Sequence, residues 1–143
     1  MSDRKKVLFI CTHNSARSQI AEGYLNARYG DRYEAFSGGI EVTKVHPLAI
    51  TVMKEIGIDI SGHRSKLIDE FFHKPMDIVV FVCDSAKGIC PFFPGTYEEI
   101  HFSFPDPSRL TGTDEEVLAG FRLVRDAIIA WIDMTFGDMN PRE

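Results

Sequence analysis

The sequence predicts an α/β fold of three layers, with about four parallel strands in flavodoxin-like order and helices on both faces of the sheet. Two short apolar runs, Val7-Leu8-Phe9-Ile10 and Ile78-Val79-Val80-Phe81-Val82, read as strands buried on both faces. Segments of helical period lie between the strand candidates, which implies parallel pairing through crossover helices. The stretch richest in polar and reactive side chains, Cys11-Thr12-His13-Asn14-Ser15-Ala16-Arg17-Ser18, comes straight after the first run. In such sheets ligands collect at the carboxyl ends of the strands.

Taken in order, the first strand ends at Cys11. From Arg17 onward Ile20, Ala21, Tyr24, Leu25 and Arg28 follow a helical spacing, with Gln19, Glu22 and Asn26 between them, until Gly30 stops the pattern. Residues 33–37 suit a second strand, closed by Gly38-Gly39. Pro47 then opens a helix in which Leu48, Val52, Met53 and Ile56 share a face before Gly57. Residues 65–72 suit a short helix with Leu67, Ile68, Phe71 and Phe72 inward, ended by Pro75. Residues 77–83 carry the strongest strand signal, and residues 100–104 offer a weaker last strand before the rigid Pro105-Asp106-Pro107. Thr113 and Glu116 form a capping box. Val117, Phe121, Val124, Ile128, Ile132 and Phe136 mark the long helix that follows.

With 143 residues, 44% of them hydrophobic, the chain fits one domain over residues 1–143 that can bury its own core. No apolar run approaches the ~20 residues that span a bilayer, and the first strand is too short for a signal-peptide core. A cytoplasmic protein without a membrane partner is expected. Three cysteines are too few for a disulfide framework and suit a reducing compartment. The formal charge of −5, with no long basic cluster, argues against a nucleic-acid surface.

The segment 11–18 reads as an anion cradle holding a nucleophile. A cysteine at the end of a strand, facing peptide N–H groups at a helix start, has negative charge on its sulfur favoured by the helix dipole and by Arg17. The same N–H groups bind a tetrahedral oxyanion, so Thr12, His13, Asn14, Ser15, Ala16, Arg17 and Ser18 are the expected anion-binding residues. Ser18 can donate its hydroxyl to the sulfur, and Asn14 tolerates a left-handed backbone. Arg17 can take two oxygens with its fork. His13 either reaches the anion or stays in solvent. A carboxyl group at Asp106, after the last strand, can protonate a leaving oxygen at the same cleft.

This segment resembles the active-site loop of the low-molecular-weight protein tyrosine phosphatases and of the arsenate reductases built on the same fold. The likeness continues through Ala21-Glu22-Gly23, Ser37-Gly38-Gly39, Gly57-Ile58-Asp59-Ile60-Ser61 and Asp106-Pro107. The resemblance implies a low-molecular-weight phosphatase-like fold, with Cys11 as nucleophile, Arg17 as oxyanion binder and Asp106 as general acid. The segment with Cys83 and Cys90, Val82-Cys83-Asp84-Ser85-Ala86-Lys87-Gly88-Ile89-Cys90-Pro91, is similar to the redox segment of thioredoxin-coupled arsenate reductases.

That likeness implies reduction of arsenate to arsenite by a relay of Cys11, Cys83 and Cys90. Thioredoxin, or a glutaredoxin, is the implied electron donor, and no cofactor is implied. If the first and third strands are neighbours, at ~4.8 Å, Cys11 and Cys83 end side by side and a disulfide between them is reasonable. A helical 84–90 would hold the Cα atoms of Cys83 and Cys90 roughly 10 Å apart, beyond the ~4.4–6.8 Å of a disulfide. Oxidation is therefore expected to remodel that segment. The alternatives are a tyrosine phosphatase hydrolysing aryl phosphates through Cys11, and a non-catalytic thiol switch or soft-metalloid binder. Ser108 stands after Asp106-Pro107 where phosphatases usually carry an aromatic residue.

Two departures from the family pattern stand out. Ala16 replaces a second loop cysteine carried by many relatives, so no disulfide forms within the loop. Some reductases of the group hold potassium with an asparagine, a glutamate, a serine and an aspartate. Asn14, Glu22 and Ser37 match the first three, but Lys66 stands at the aspartate position, so its ammonium replaces the ion or the site is absent. The spacings of His46, His63, His73 and His101 define no metal site. Phe92-Phe93 is read as a covering loop beside the redox segment.

Overall fold

The computed structural model describes residues 4–11, 14–82, 93–95 and 97–137. The expectations for Thr12, His13, Cys83, Cys90 and Phe92, including the remodelling of residues 84–90, lie outside the described residues.

Among the described residues, seven main elements follow one another: β1 (Lys5–Cys11), α1 (Arg17–Tyr29), β2 (Tyr33–Gly39), α2 (Pro47–Lys54), β3 (Ile78–Phe81), β4 (Glu98–His101) and α3 (Asp114–Phe136). Short 3-10 turns lie at Ile68–Phe71 and Pro107–Arg109. The four strands pair in the order β2-β1-β3-β4, and every pairing is parallel. This is the flavodoxin-like order expected of alternating strands and helices.

β1 is the hub of the sheet. Val7, Leu8, Phe9 and Ile10 are all fully buried, so the strand excludes water on both sides. Burial of each such side chain contributes about 1.5–3 kcal/mol. Strand alternation sends Val7, Phe9 and Cys11 to one face, where they join a core with Ile20, Leu25, Ala49, Val52, Phe121, Ile128 and Ile132 from all three α-helices. Leu8 and Ile10 go to the other face. There, among the described residues, Ile68 and Phe71 of the 3-10 turn, Met76 and Phe93 cover the sheet.

Several boundaries differ from the sequence expectation. β3 spans Ile78–Phe81, although the Val82 N–H still donates to the Ile10 carbonyl at 2.8 Å. β4 spans Glu98–His101 where 100–104 was expected, because its pairing with β3 starts at the Glu98 N–H on the Asp77 carbonyl and ends at the Phe102 N–H on the Phe81 carbonyl. The 65–72 helix is only a 3-10 turn. Its three-residue period buries Ile68 and Phe71 and leaves Phe72 39% exposed. In α1 the polar Gln19 is fully buried, whereas Arg28 is exposed. α3 starts with the expected capping box, in which the Glu116 N–H donates to Thr113 Oγ1 and the Thr113 N–H to Glu116 Oε1.

α1 is pressed close to the strand-like run after α2. A Cβ built on Gly23 would sit 2.6 Å from Ile60 Cγ2, a methyl group on a fully buried side chain. Gly23→Ala is therefore expected to lower the unfolding free energy by about 1–3 kcal/mol, read as a lower urea midpoint at unchanged slope.

Candidate active site

Cys11 ends β1 with its side chain only 2% exposed. The chain then turns into α1, whose N-cap Ala16 has no side chain to accept a hydrogen bond, and no acidic residue stands in the first turn. The positive end of the helix is thus left for an anion at the cysteine. Ser18 Oγ lies 2.8 Å from Cys11 Sγ, where a hydroxyl proton can serve the sulfur. Asn14, the expected left-handed residue, has φ of 50° and its amide Nδ2 donates to Ser18 Oγ at 2.8 Å.

Arg17 reaches across the sheet. Its buried guanidinium donates through Nη1 to the carbonyls of Val82 at 3.3 Å and Phe104 at 3.1 Å, and Nη2 lies 3.6 Å from Asp106 Oδ2. One side chain thereby gathers the carboxyl ends of β1, β3 and the post-β4 segment. Cys11, Asn14, Arg17, Ser18 and Asp106 are brought together at the edge that the fold class predicts for ligands. Ala16 is buried and Ser15 contributes its carbonyl, which accepts from the His46 N–H at 2.9 Å. β1 and β3 are adjacent, the condition set for Cys11 and Cys83 to meet, while Cys83 itself is outside the described residues.

The potassium set does not fit a cation here. Lys66 Nζ lies 3.8 Å from Glu22 Oε1 and donates to the Arg64 carbonyl at 2.9 Å. Ser37 Oγ donates to the same Glu22 oxygen, and Asn14 Oδ1 accepts from the Lys66 N–H and from Gln19 Nε2. The glutamate charge is met by an ammonium, and the asparagine oxygen is already engaged. Burial lowers the affinity of Lys66 for its proton, with Glu22 opposing that shift. Among the described residues no group of three or more His, Cys, Asp or Glu is arranged to hold a metal ion.

Sequence reasoning missed the part played by His46, Gln19 and His63. From the sequence, His46 is only the residue before the Pro47 helix and part of no metal site. Its Nδ1 accepts from the Leu48 N–H at 3.1 Å and so caps α2, its ring packs on Phe121 with centroids 4.6 Å apart, and its peptide ties that helix to the loop. Pro47 signals the helix start, but neither the imidazole cap nor the tie to Ser15 has a signal in the sequence.

An imidazole nitrogen that accepts from a peptide N–H must be unprotonated, so the cap needs neutral His46. Burial pushes the His46 pKa below its ordinary value; Asp106 opposes this and Lys44 adds to it. The unfolded chain then binds the proton more readily, so the cap contributes fully above about pH 6.5 and is lost as pH falls through the depressed folded value. Wild type should lose more melting temperature than His46→Asn on going from about pH 7.5 to about pH 5.5, since asparagine caps without titrating. Exchanging sodium for potassium should change neither melting temperature nor turnover, because Lys66 already meets the Glu22 charge and the Asn14 oxygen.

The chain matches the model of the low molecular weight phosphotyrosine protein phosphatase family over residues 6–130. It is 46% identical over 126 residues to an arsenate reductase of Halalkalibacterium halodurans, covering 88% of this chain and 91% of that one. A solved arsenate reductase in its oxidized state superimposes with a TM-score of 0.77 at 32% identity, over 91% of this chain and 95% of the other. A thioredoxin-dependent arsenate reductase of Corynebacterium glutamicum gives a TM-score of 0.62 at 25% identity, over 92% of this chain and 63% of that one. With its parallel sheet and a match that runs over residues 6–130, the chain belongs to the low molecular weight phosphotyrosine protein phosphatase family.

Proposed function

We propose that this protein is an arsenate reductase that works through Cys11, Cys83 and Cys90, with thioredoxin returning the electrons. The observation that carries the reading is the placing of Cys11 Sγ beside Ser18 Oγ, and of Arg17 beside Asp106, at the carboxyl ends of the strands, in a chain similar over most of its length to arsenate reductases. The thioredoxin step draws its support from the similarity to the thioredoxin-dependent reductase.

The chemistry runs as follows. The Cys11 thiolate attacks arsenic(V) held by the loop N–H groups and Arg17, forming a sulfur–arsenic bond, and Asp106 protonates the departing oxygen so that it leaves as water. The Cys83 thiolate attacks Cys11 Sγ. The sulfur–arsenic bond breaks with its electron pair going to arsenic, which leaves as arsenite, and Cys11 and Cys83 are joined. Cys90 then attacks Cys83 Sγ and frees Cys11, and the Cys83–Cys90 disulfide is reduced by the dithiol of thioredoxin. Phosphate fits the same cradle, but phosphorus(V) is not reduced by thiols, so the two further cysteines have a use only with a reducible oxyanion.

Arsenate-dependent oxidation of NADPH through thioredoxin and its reductase tests the relay. Cys83→Ser should abolish multiple turnover, and Cys90→Ser should stop after one turnover with Cys11 joined to Cys83 in the peptide map. Asp106→Asn should lower kcat by about 10²–10⁴-fold. Full turnover by Cys83→Ser would overturn the relay. Strong aryl phosphate hydrolysis unaffected by either cysteine change, without arsenite formation, would instead assign a phosphatase.

A further inference from the structure

Ser15 and Ala16 share the peptide that leads from the Cys11 loop into α1. The Ser15 carbonyl stands outside the α1 ladder, which opens with the Ile20 N–H on the Ala16 carbonyl at 2.8 Å. It accepts instead from the N–H of His46, the N-cap of α2, at 2.9 Å. In a trans peptide the carbonyl and the N–H that follows it point in opposite directions. With its oxygen held toward α2, this peptide turns the Ala16 N–H away from α2, to the inner side of the loop. Ala16 is only 4% exposed, and among the described residues its N–H meets no acceptor. A buried peptide donor without a partner is costly. It suits an oxygen that arrives with a ligand.

His46 is held for this task from two elements. Its Nδ1 accepts from the Leu48 N–H at 3.1 Å, and its carbonyl accepts from the N–H groups of Ala49 at 3.0 Å and Ile50 at 3.2 Å, all in α2. Its ring packs on that of Phe121, a fully buried residue of α3. The peptide N–H is the group left over, and it goes to Ser15. The imidazole cap requires a neutral ring. The charged groups acting on that ring are Asp106, from the segment after β4, and Lys44, from the segment before α2. α2 presents the Leu48 peptide to it and α3 the Phe121 ring, neither of which titrates. A proton on Nδ1 ends the cap and removes one of the anchors that hold the His46 peptide against Ser15.

We propose that His46 is a positioning residue for the oxyanion loop: its N–H on Ser15 holds the Ala16 N–H toward the bound anion, and its neutral imidazole keeps it there. This rests on the reading of residues 11–18 as an oxyanion site. His46 acts through the Ser15–Ala16 peptide and not on the reacting atoms.

The test is a titration of the reduced, isotope-labelled full-length chain with inorganic sulfate, followed on the Ala16 amide by NMR, with a circular dichroism melt of each variant. Sulfate is a tetrahedral dianion that keeps its charge across the range in which histidine titrates. In the wild type the Ala16 amide proton should move downfield on saturation, as a donor does when it gains an acceptor. His46→Ala keeps the peptide N–H and loses the cap, and should raise the sulfate Kd about fivefold at about pH 7.5. His46→Asn, which caps through its own oxygen, should bind as the wild type does. From about pH 7.5 to about pH 5.5 the wild-type Kd should rise about threefold more than that of His46→Asn. A His46 that only stabilises the fold would lower the melting temperature of His46→Ala and leave its sulfate Kd unmoved. That result would overturn the proposal, as would an Ala16 amide that sulfate does not shift, or the same pH profile in wild type and His46→Asn. If His46→Ala does not fold, the pH comparison of wild type with His46→Asn decides. Sulfate binding needs no reduction, so an Ala16 response in a protein that makes no arsenite would defeat the functional reading and leave this proposal standing.

Discussion

Water is excluded from both sides of β1, and the remaining architecture answers to that constraint. A strand with Val7, Leu8, Phe9 and Ile10 fully buried must have neighbours on both edges and covering layers on both faces. β2 and β3 supply the edges in parallel register, so the chain leaves all three strands at the same end. Cys11 is the residue at which β1 reaches that end. A thiol is buried there without any element being devoted to burying it, because the sheet already is.

The second requirement is to enter α1 after Cys11 with the Ser18 hydroxyl beside the sulfur. Asn14 meets it by adopting a positive φ and by engaging both ends of its carboxamide. Left-handed backbone at a non-glycine residue is costly unless the surroundings hold it. Here the hold comes from Gln19, Lys66 and Ser18, two from α1 and one from the segment after α2. The loop asparagine is thus held on one side by Gln19 and Lys66, and on the other by Ser18, which stands between it and the sulfur.

How far the sequence disclosed this depends on the range of each interaction. The apolar runs of β1 and β3, the period of α3 and the Thr113 capping box are local patterns, and they were legible. So was the Cys11, Arg17 and Ser18 spacing, because loop and helix start are continuous in the chain. Gln19 was not, since a glutamine among apolar residues reads as an outward face, and its partners Arg64 and His63 are distant in sequence. β4 was set too late because Glu98 and Glu99 look unlike a strand, and edge position rather than apolarity makes them one. Phe72 was turned inward in expectation because a full α-helix would have buried it.

Arg17 carries a consequence for sequence drift. Its guanidinium fastens the carbonyls of Val82 and Phe104 while standing beside Asp106, so one side chain ties the carboxyl ends of the strands together next to the proposed general acid. A lysine has the charge but not the planar fork, so it has no second nitrogen to set against the carboxylate while the first donates to the two carbonyls. Given its proposed part in oxyanion binding, random change at this position is opposed twice over, by folding and by activity. A lineage that abandoned oxyanion chemistry would still have a reason to keep the arginine, so its presence alone would not date the loss of function.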